Sequence, residues 1–225
     1  MKILIVSTSH GSLGQTGLPT GLGLETLAGP YYRFLEAGAE VVIASPLGGT
    51  PPIDPLSVGE ETSTEETHRF SGDVAALAHF ENSALLETVH AEDIDALFFA
   101  GGHGGMWDFA DNTDVATLIG RCLSLGKPVA AICHGPAAFC GVIDASGRPI
   151  IEGSRITGLS NSEEIALGRD HTVPFLLEDR LKSLGGDYQA GPDFKSFVVR
   201  DRLLITGQNM RSAKAVAEAL LEFFR

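Results

Sequence analysis

A cysteine followed directly by a histidine, Cys133-His134, is the pair of residues in this sequence best suited to nucleophilic chemistry. A thiolate is a strong nucleophile, and an imidazole takes up and returns protons near neutral pH. The pair ends the apolar run 128–133, and the small residues Gly135 and Ala137 follow. A buried strand that bends sharply into a helix through small residues is a nucleophile elbow. We therefore expect Cys133 at such a bend, where a helix N-terminus favours the thiolate.

The alternative for Cys133 is a buried, inert thiol, which is the usual fate of a free cysteine. The chain has three cysteines and no Cys-x-x-Cys pattern, so we predict no disulfide framework. Cys122 and Cys140 fall on helical faces, and we interpret both as packed and unreactive.

A glycine-rich turn, 101–105, follows the apolar run 96–100. Such turns let backbone N–H groups point into a site, where they bind phosphate or hold an oxyanion opposite Cys133. The turn lacks the Gly-x-Gly-x-x-Gly spacing and a following Lys-Ser/Thr, which argues against a nucleotide cradle. The only tryptophan, Trp107, comes next, and it either lines a pocket or simply packs.

Seven histidines raise the question of a metal site. None forms His-x-His or His-Glu-x-x-His, so we predict no metal site. Glu163-Glu164 has the position of an acidic pair at a helix N-terminus, with Asn161 or Ser162 as the candidate cap.

The elements that must position these residues alternate between short apolar runs and amphipathic stretches. Such alternation predicts an α/β fold, with a mostly parallel sheet and helices on both faces. Asp201-Arg202 lies between two β-like runs and predicts a hairpin turn. The segment 46–66, rich in Pro, Gly, Ser, Thr and Glu, is interpreted as a surface excursion rather than a linker. The predicted strands are 2–7, 40–45, 96–100, 128–133, 155–158 and 203–206.

Length and charge limit the function further. The 225 residues fit one domain or two small ones, and the formal net charge is −13. An acidic surface repels phosphate backbones and anionic membranes, so we expect no nucleic-acid or membrane partner. No apolar run approaches the length of a membrane span, and residues 1–7 lack a signal-peptide pattern. We expect a cytoplasmic protein.

The order and spacing of several motifs resemble the ThiJ/PfpI superfamily, and within it the glyoxalase III-like, heat-shock-chaperone branch. The resemblance covers nearly all of residues 1–225 and implies a single flavodoxin-like, three-layer domain related to class I glutamine amidotransferases. It also implies a homodimer, since family members are commonly dimers, and no cofactor. Its landmarks include Thr20-Gly21, Pro30-Tyr31-Tyr32, Ala100-Gly-Gly-His-Gly104, Met106-Trp-Asp-Phe109, Ala131-Ile-Cys-His-Gly-Pro136, Ser162-Glu-Glu164 and Ile205-Thr-Gly-Gln-Asn209.

The resemblance implies a glutathione-independent glyoxalase. Cys133 looks like the nucleophile, His134 its partner, and Glu164, more than Glu163, the acid that orients the histidine. Cys133 would add to the aldehyde of methylglyoxal, a base would move a proton through an enediol, and collapse would release lactate. Backbone N–H groups of the Gly101-Gly102-His103 turn and of His134 look like the oxyanion site.

One position departs from the family pattern. The superfamily has a glutamate four residues before the proline of the first helix, and this acid contacts the cysteine sulfur. Four residues before Pro30 stands Thr26, and Glu25 is one place early. Adjacent helical residues point about 100° apart, so only one of the two can face Cys133. The departure leaves two alternatives open, a stress chaperone and a redox-responsive protein, both with reduced or altered catalysis.

Overall fold

The computed structural model describes residues 1–225 and is built around one large sheet. The sheet has seven strands in the order β3-β2-β1-β4-β5-β9-β8, and a second sheet pairs β6 with β7. The strands are β1 (Lys2–Val6), β2 (Glu40–Ser45), β3 (Ala84–Leu85), β4 (Ala96–Phe99), β5 (Val129–Ile132), β6 (Arg155–Ile156), β7 (Asp187–Tyr188), β8 (Val198–Asp201) and β9 (Leu204–Gly207).

All neighbours in the large sheet run parallel except β8 and β9. In register, Leu4 of β1 lies between Val42 of β2 and Leu97 of β4. The antiparallel pair is joined by the hairpin expected at Asp201-Arg202, where Arg202 takes the left-handed backbone conformation that a tight turn requires. The carboxyl ends of β1, β4, β5 and β9 therefore lie at the same edge of the sheet, and the candidate residues follow β4 and β5 at that edge.

Both faces of the sheet are buried, as the absence of strict alternation in the strands predicts. In β1, Ile3 and Ile5 join one hydrophobic core while Leu4 and Val6 join the other. Side chains of successive strand residues point to opposite faces, so β1 supplies both cores in alternation.

Eight α-helices cover the two faces. Helices α1 and α8 pack on the face of Ile3, and α5 and α7 pack on the face of Leu4. The predicted flavodoxin-like arrangement of three layers is confirmed. The helices are α1 (Glu25–Glu36), α2 (Glu65–Gly72), α3 (Val74–Glu81), α4 (Gly105–Asp108), α5 (Thr113–Ser124), α6 (Asn161–Ala166), α7 (Leu177–Ser183) and α8 (Ala213–Leu221).

Two details differ from the sequence expectations. The spacing of Val173, Leu177, Leu181 and Leu184 predicts a helix that Gly185-Gly186 ends. That helix begins only at Leu177, because turns and bends occupy the residues just before it. The segment 46–66 is not only a surface excursion. Its middle is anchored by a bridge between Leu22 and Ile53, and Asp54 and Ser57 are buried. None of the helices is long and apolar enough to span a bilayer.

Candidate active site

Cys133 lies at the bend that follows β5. Its backbone φ is +60°, in the left-handed region that a non-glycine residue rarely adopts. The bend is held on both sides, because the Cys133 N–H donates to the Gly207 carbonyl and its carbonyl accepts from Leu159, each at 2.9 Å. Gly101 of the facing turn must lack a side chain, since a Cβ there would lie 2.6 Å from the Cβ of Cys133. The surrounding structure thus holds the thiol in a strained, partly exposed position.

His134 contacts the thiol. The Cys133 Sγ lies 3.4 Å from Nδ1 of His134, whose side chain is buried. Burial disfavours the imidazolium, but the charges of Cys133 and Glu164 and their hydrogen bonds outweigh it and raise the His134 pKa to about 10. These contacts therefore favour the imidazolium form of His134.

Helix α6 brings Glu164 beneath the histidine. Its Oε2 accepts a hydrogen bond from Nε2 of His134 at 2.8 Å, and its Oε1 accepts from Nε2 of His103 at 2.7 Å. Burial alone would raise the pKa of this carboxyl, yet the His134 charge and the two imidazole donors hold it well below its usual range. Glu164 is therefore a buried carboxylate shared by two histidines.

The neighbouring carboxyl, Glu163, points elsewhere. It accepts from the side chain of Asn209 at 2.7 Å and from the backbone N–H of Phe194 at 2.8 Å, and it forms a capping box with Ser160. Ser160 is thus the helix cap, and the expectation of Asn161 or Ser162 is wrong by one or two residues. Glu163 ties two loops at the site together and does not contact His134.

In the glycine turn and at the elbow, the backbone N–H groups of Gly102, His103 and His134 have no acceptor within the protein. All three residues line the same cavity as Cys133. The N–H of Gly101 is different, because it donates to Thr26 Oγ1 at 2.8 Å. The arrangement leaves Gly102 and His134, rather than Gly101, free to hold an oxyanion.

Thr26, not Glu25, faces the cavity with Cys133. The Thr26 hydroxyl donates to the Gly23 carbonyl at 2.6 Å and accepts from Gly101. Glu25 points to the other side of α1, where its carboxylate accepts from the Thr64 hydroxyl, and burial raises its pKa. No carboxyl takes the place of Thr26 beside the sulfur.

His103 belongs to a polar network that the sequence did not indicate. Nη1 of Arg169 lies 3.1 Å from Nδ1 of His103 and 3.0 Å from Oδ2 of Asp54. All three residues are buried and line the cavity. Asp54 and Arg169 are 115 positions apart, and neither lies in a motif, so only the folded chain brings them together.

The cavity above Cys133 has a volume of about 260 Å³. Apolar side chains that are substantially exposed form part of its lining, namely Leu56, Leu167 and Phe194, and Arg211 also lines it. Trp107 does not line this cavity. Its ring stacks on His10, with 5.0 Å between centroids, and lines a separate depression.

The same residues offer atoms to a metal, since one ligand atom each of His103, His134 and Glu164 lies within 4.8 Å of the others. Both Nε2 atoms already donate to the carboxylate, and the Nδ1 atoms face Arg169 and Cys133. The geometry is that of a hydrogen-bonded network. The other cysteines lie apart from it, and burial raises the pKa of Cys122 to about 11 and of Cys140 to about 12.

The chain matches the DJ-1/PfpI family model over residues 23–163. It belongs to the DJ-1/PfpI family. A glutathione-independent glyoxalase, HSP31 of Saccharomyces cerevisiae, is 30% identical over 96% of this chain and 94% of its own length. Among solved structures, glyoxalase III of Candida albicans superposes with a TM-score of 0.90 at 26% identity, covering 99% of this chain and 96% of that one.

A second solved structure is similar over nearly the whole chain. Rapid Encystment Protein 24 KDa of Francisella tularensis superposes with a TM-score of 0.94 at 38% identity, covering 98% of this chain and 97% of that one. Both likenesses extend over nearly the whole chain, so the overall fold is shared with these two structures.

Proposed function

We propose that this protein is a glutathione-independent glyoxalase that converts methylglyoxal to lactate, with Cys133 as nucleophile, His134 as acid and base, and Glu164 as the group that orients His134. The observation that carries the proposal is the continuous chain of contacts from Cys133 Sγ through His134 to Glu164, at 3.4 and 2.8 Å. Full-length similarity to proteins named as glyoxalases supports it.

In the first step, the Cys133 thiolate adds to the aldehyde carbon and the carbonyl π electrons move to oxygen. The alkoxide that forms is stabilised by the N–H groups of Gly102 and His134 and takes a proton from the His134 imidazolium. The product is a hemithioacetal, and His134 is now neutral. Because the thiolate charge that favoured the imidazolium has gone, the His134 pKa falls toward the range of a general base.

In the second step, neutral His134 removes the proton from the carbon attached to sulfur, and the C–H electrons form a C=C bond. The resulting imidazolium protonates the oxygen of the former ketone, which gives an enediol. His134 then takes the proton of the hydroxyl on the sulfur-bearing carbon and delivers it to the neighbouring carbon, so that a C=O bond forms beside sulfur and a lactoyl thioester of Cys133 results. Water then cleaves the thioester, releasing lactate and restoring the thiolate. Thr26 has no ionisable group, so this route assigns every proton transfer to His134.

The test is lactate formation from methylglyoxal without glutathione. We expect turnover by the wild type, none by Cys133→Ala, and full turnover by Cys140→Ala, the matched cysteine control. Loss of turnover in both variants, or its persistence in Cys133→Ala, would overturn the assignment of Cys133. No turnover by the wild type would overturn the glyoxalase function and direct the search to the chaperone and redox alternatives.

A further inference from the structure

We propose that Arg169, held by Asp54, is a positioning residue that keeps His103 neutral, so that the full charge of Glu164 serves His134. This inference rests on the proposed function, because it concerns the pair that His134 forms with Cys133. It assigns a role to three buried residues on the cavity wall, beyond the nucleophile, base and acid.

The contact between Arg169 and His103 fixes the imidazole tautomer. A guanidinium has only N–H donors and stays protonated, so the Nδ1 that lies 3.1 Å from Arg169 Nη1 must accept. The proton of neutral His103 therefore sits on Nε2, where it is donated to Glu164 at 2.7 Å. A second proton on His103 would have to displace the arginine. Burial and the neighbouring His134 charge act in the same direction and lower the His103 pKa to about 4.

Asp54 holds the guanidinium in place. Its Oδ2 accepts from Arg169 at 3.0 Å and from the Thr20 hydroxyl at 2.8 Å, while Oδ1 accepts from the backbone N–H of Leu56 at 2.9 Å. A buried arginine needs such a partner, because an unpaired buried charge is strongly unfavourable. The charged groups that face His103 from the packed elements are thus Arg169, Asp54, Glu164 and His134.

A charged His103 would compete with His134. The two rings lie 4.0 Å apart between centroids and share one carboxylate. If both were imidazolium, they would repel each other and divide the charge of Glu164, which lowers the His134 pKa. By keeping His103 neutral, Arg169 preserves the imidazolium that accompanies the thiolate of Cys133.

The decisive measurement is the protonation state of His103 in ¹⁵N-histidine-labelled protein. Long-range ¹H–¹⁵N spectra separate the two neutral tautomers from the imidazolium, and the His103→Gln spectrum assigns the signal. In the wild type we expect the Nε2–H tautomer between pH 8 and 5. In Arg169→Met the repulsion from the guanidinium is gone and Nδ1 is free to take a proton, so we expect His103 to titrate at a higher pH than in the wild type. Burial and the His134 charge remain, so the value stays below the ordinary histidine value of about 6.5.

The pH dependence of kcat tests whether the protonation state of His103 affects catalysis. We expect kcat of Arg169→Met for methylglyoxal to acquire an acid limb whose midpoint matches the His103 pKa measured in the same variant, with KM unchanged. Arg169→Lys keeps a cation beside Nδ1, so we expect it to restore most of the wild-type profile. Arg211→Met is the matched control, since it removes a cation from the same cavity without a contact to His103, and the His103 titration should not move.

If Arg169 had only a structural role, its replacement would alter folding without altering the tautomer of His103. Arg169→Met leaves the buried Asp54 carboxylate unpaired, and this variant could fail to fold for that reason. The double variant Asp54→Asn/Arg169→Met removes both charges, and the titration of His103 is then measured in that protein. A His103 that titrates normally in the wild type, or that titrates at the same pH in these variants as in the wild type, overturns the inference. The titration needs no substrate. Absence of wild-type turnover therefore defeats the proposed function alone, and turnover with an unmoved titration defeats this inference alone.

Discussion

Nε2 of His134 lies 2.8 Å from Oε2 of Glu164, deep beneath the nucleophile elbow. This contact fixes which imidazole nitrogen faces Cys133, because a proton on Nε2 that is donated to a carboxylate leaves Nδ1 directed at Sγ. It also supplies the negative charge that favours the imidazolium in a site otherwise shielded from water. The roles proposed for Cys133 and His134 both depend on it.

Glu164→Gln tests that dependence. The substitution keeps the shape but removes the charge and presents an amide NH₂ to one of two N–H donors. We expect kcat for methylglyoxal to fall by about 10²–10⁴-fold. The matched control is Glu163→Gln, whose carboxyl is equally buried but holds Asn209 and Phe194. It should lower the midpoint of urea unfolding and leave the pH profile of kcat unchanged. Equal losses of kcat in both variants would contradict the separate roles of the two carboxyls.

The hydrogen bond between Gly101 and the Thr26 hydroxyl is expected to contribute to the stability of the fold. The Thr26 hydroxyl is the acceptor for the buried N–H of Gly101, so Thr26→Val leaves that N–H without a partner. We expect the free energy of unfolding to fall by about 1–3 kcal/mol. Thr26→Ser retains the hydroxyl and is the control, with a smaller loss from the missing methyl group. Urea unfolding of both variants measures the difference, and a valine variant as stable as the serine variant would show that the contact contributes nothing.

Much of the site follows from sequence because the chemistry is concentrated in short segments. The glycine turn and the Cys133-His134 elbow each follow one predicted strand, and a parallel sheet brings the carboxyl ends of those strands together. Asp54 and Arg169 gave no such signal. Asp54 lies in a Pro-rich segment that was interpreted as a surface excursion, and Arg169 lies in a polar stretch that contains no motif. Their contact exists only through the packing of distant loops.

The choice between Glu25 and Thr26 shows a different limit. Sequence spacing alone did not show which of the two residues faces Cys133, because a shift of one position in a helix changes the direction of the side chain by about 100°. The tight approach of the Gly101 turn to the start of α1 decides it, through the hydrogen bonds of Thr26 with Gly23 and Gly101. Helix phase at a terminus is set by such tertiary contacts, which periodicity alone does not contain.

Asp108 predicts a pH dependence of stability. Burial raises its pKa to about 6 from 3.8. A carboxyl whose folded pKa is raised stabilises the fold below its unfolded pKa and loses that contribution as pH rises through about 6. At pH 8 the ionised Asp108 therefore lowers the free energy of unfolding, by about 1–3 kcal/mol.

Asp108→Asn removes the ionisation and keeps an acceptor for the N–H of Ser9. We expect it to be more stable than the wild type at pH 8 and equally stable near pH 4. The control is Asp111→Asn, an exposed neighbour that should give no pH-dependent difference. Thermal unfolding across this range makes the comparison. A constant difference between Asp108→Asn and the wild type at all pH values would rule out the titration of Asp108 as its cause.

Oxidation should discriminate among the three cysteines. Thiolates react with peroxide, and burial raises the pKa of Cys122 and Cys140 to about 11 and 12, which keeps both as thiols. Under mild peroxide we expect the peptide containing Cys133 to gain oxygen first, as followed by mass spectrometry. Glu164→Gln should slow this reaction, because a weaker imidazolium stabilises less thiolate. Simultaneous oxidation of all three cysteines would argue against an activated Cys133.

The mouth of the cavity predicts a preference among 2-oxoaldehydes. Leu56, Leu167 and Phe194 line it with exposed fractions of 60%, 42% and 43%, although methylglyoxal carries only a methyl group. Phe194 has a φ of +55°, a conformation unfavourable for an aromatic residue, and Glu163 holds it there by accepting its N–H at 2.8 Å. A larger apolar substituent would remain in contact with these side chains after the aldehyde reaches Cys133.

We therefore expect kcat/KM to be higher for phenylglyoxal than for methylglyoxal. Phe194→Ala should lower the phenylglyoxal value about ten-fold, the worth of burying one apolar group, mostly through KM. The methylglyoxal value should change less than about two-fold, because the smaller substrate does not reach the mouth. Phe224→Ala, a similarly exposed phenylalanine near the carboxyl end, is the control and should affect neither substrate. Equal losses for both aldehydes in Phe194→Ala would mean that Phe194 supports the loop and does not select the substituent.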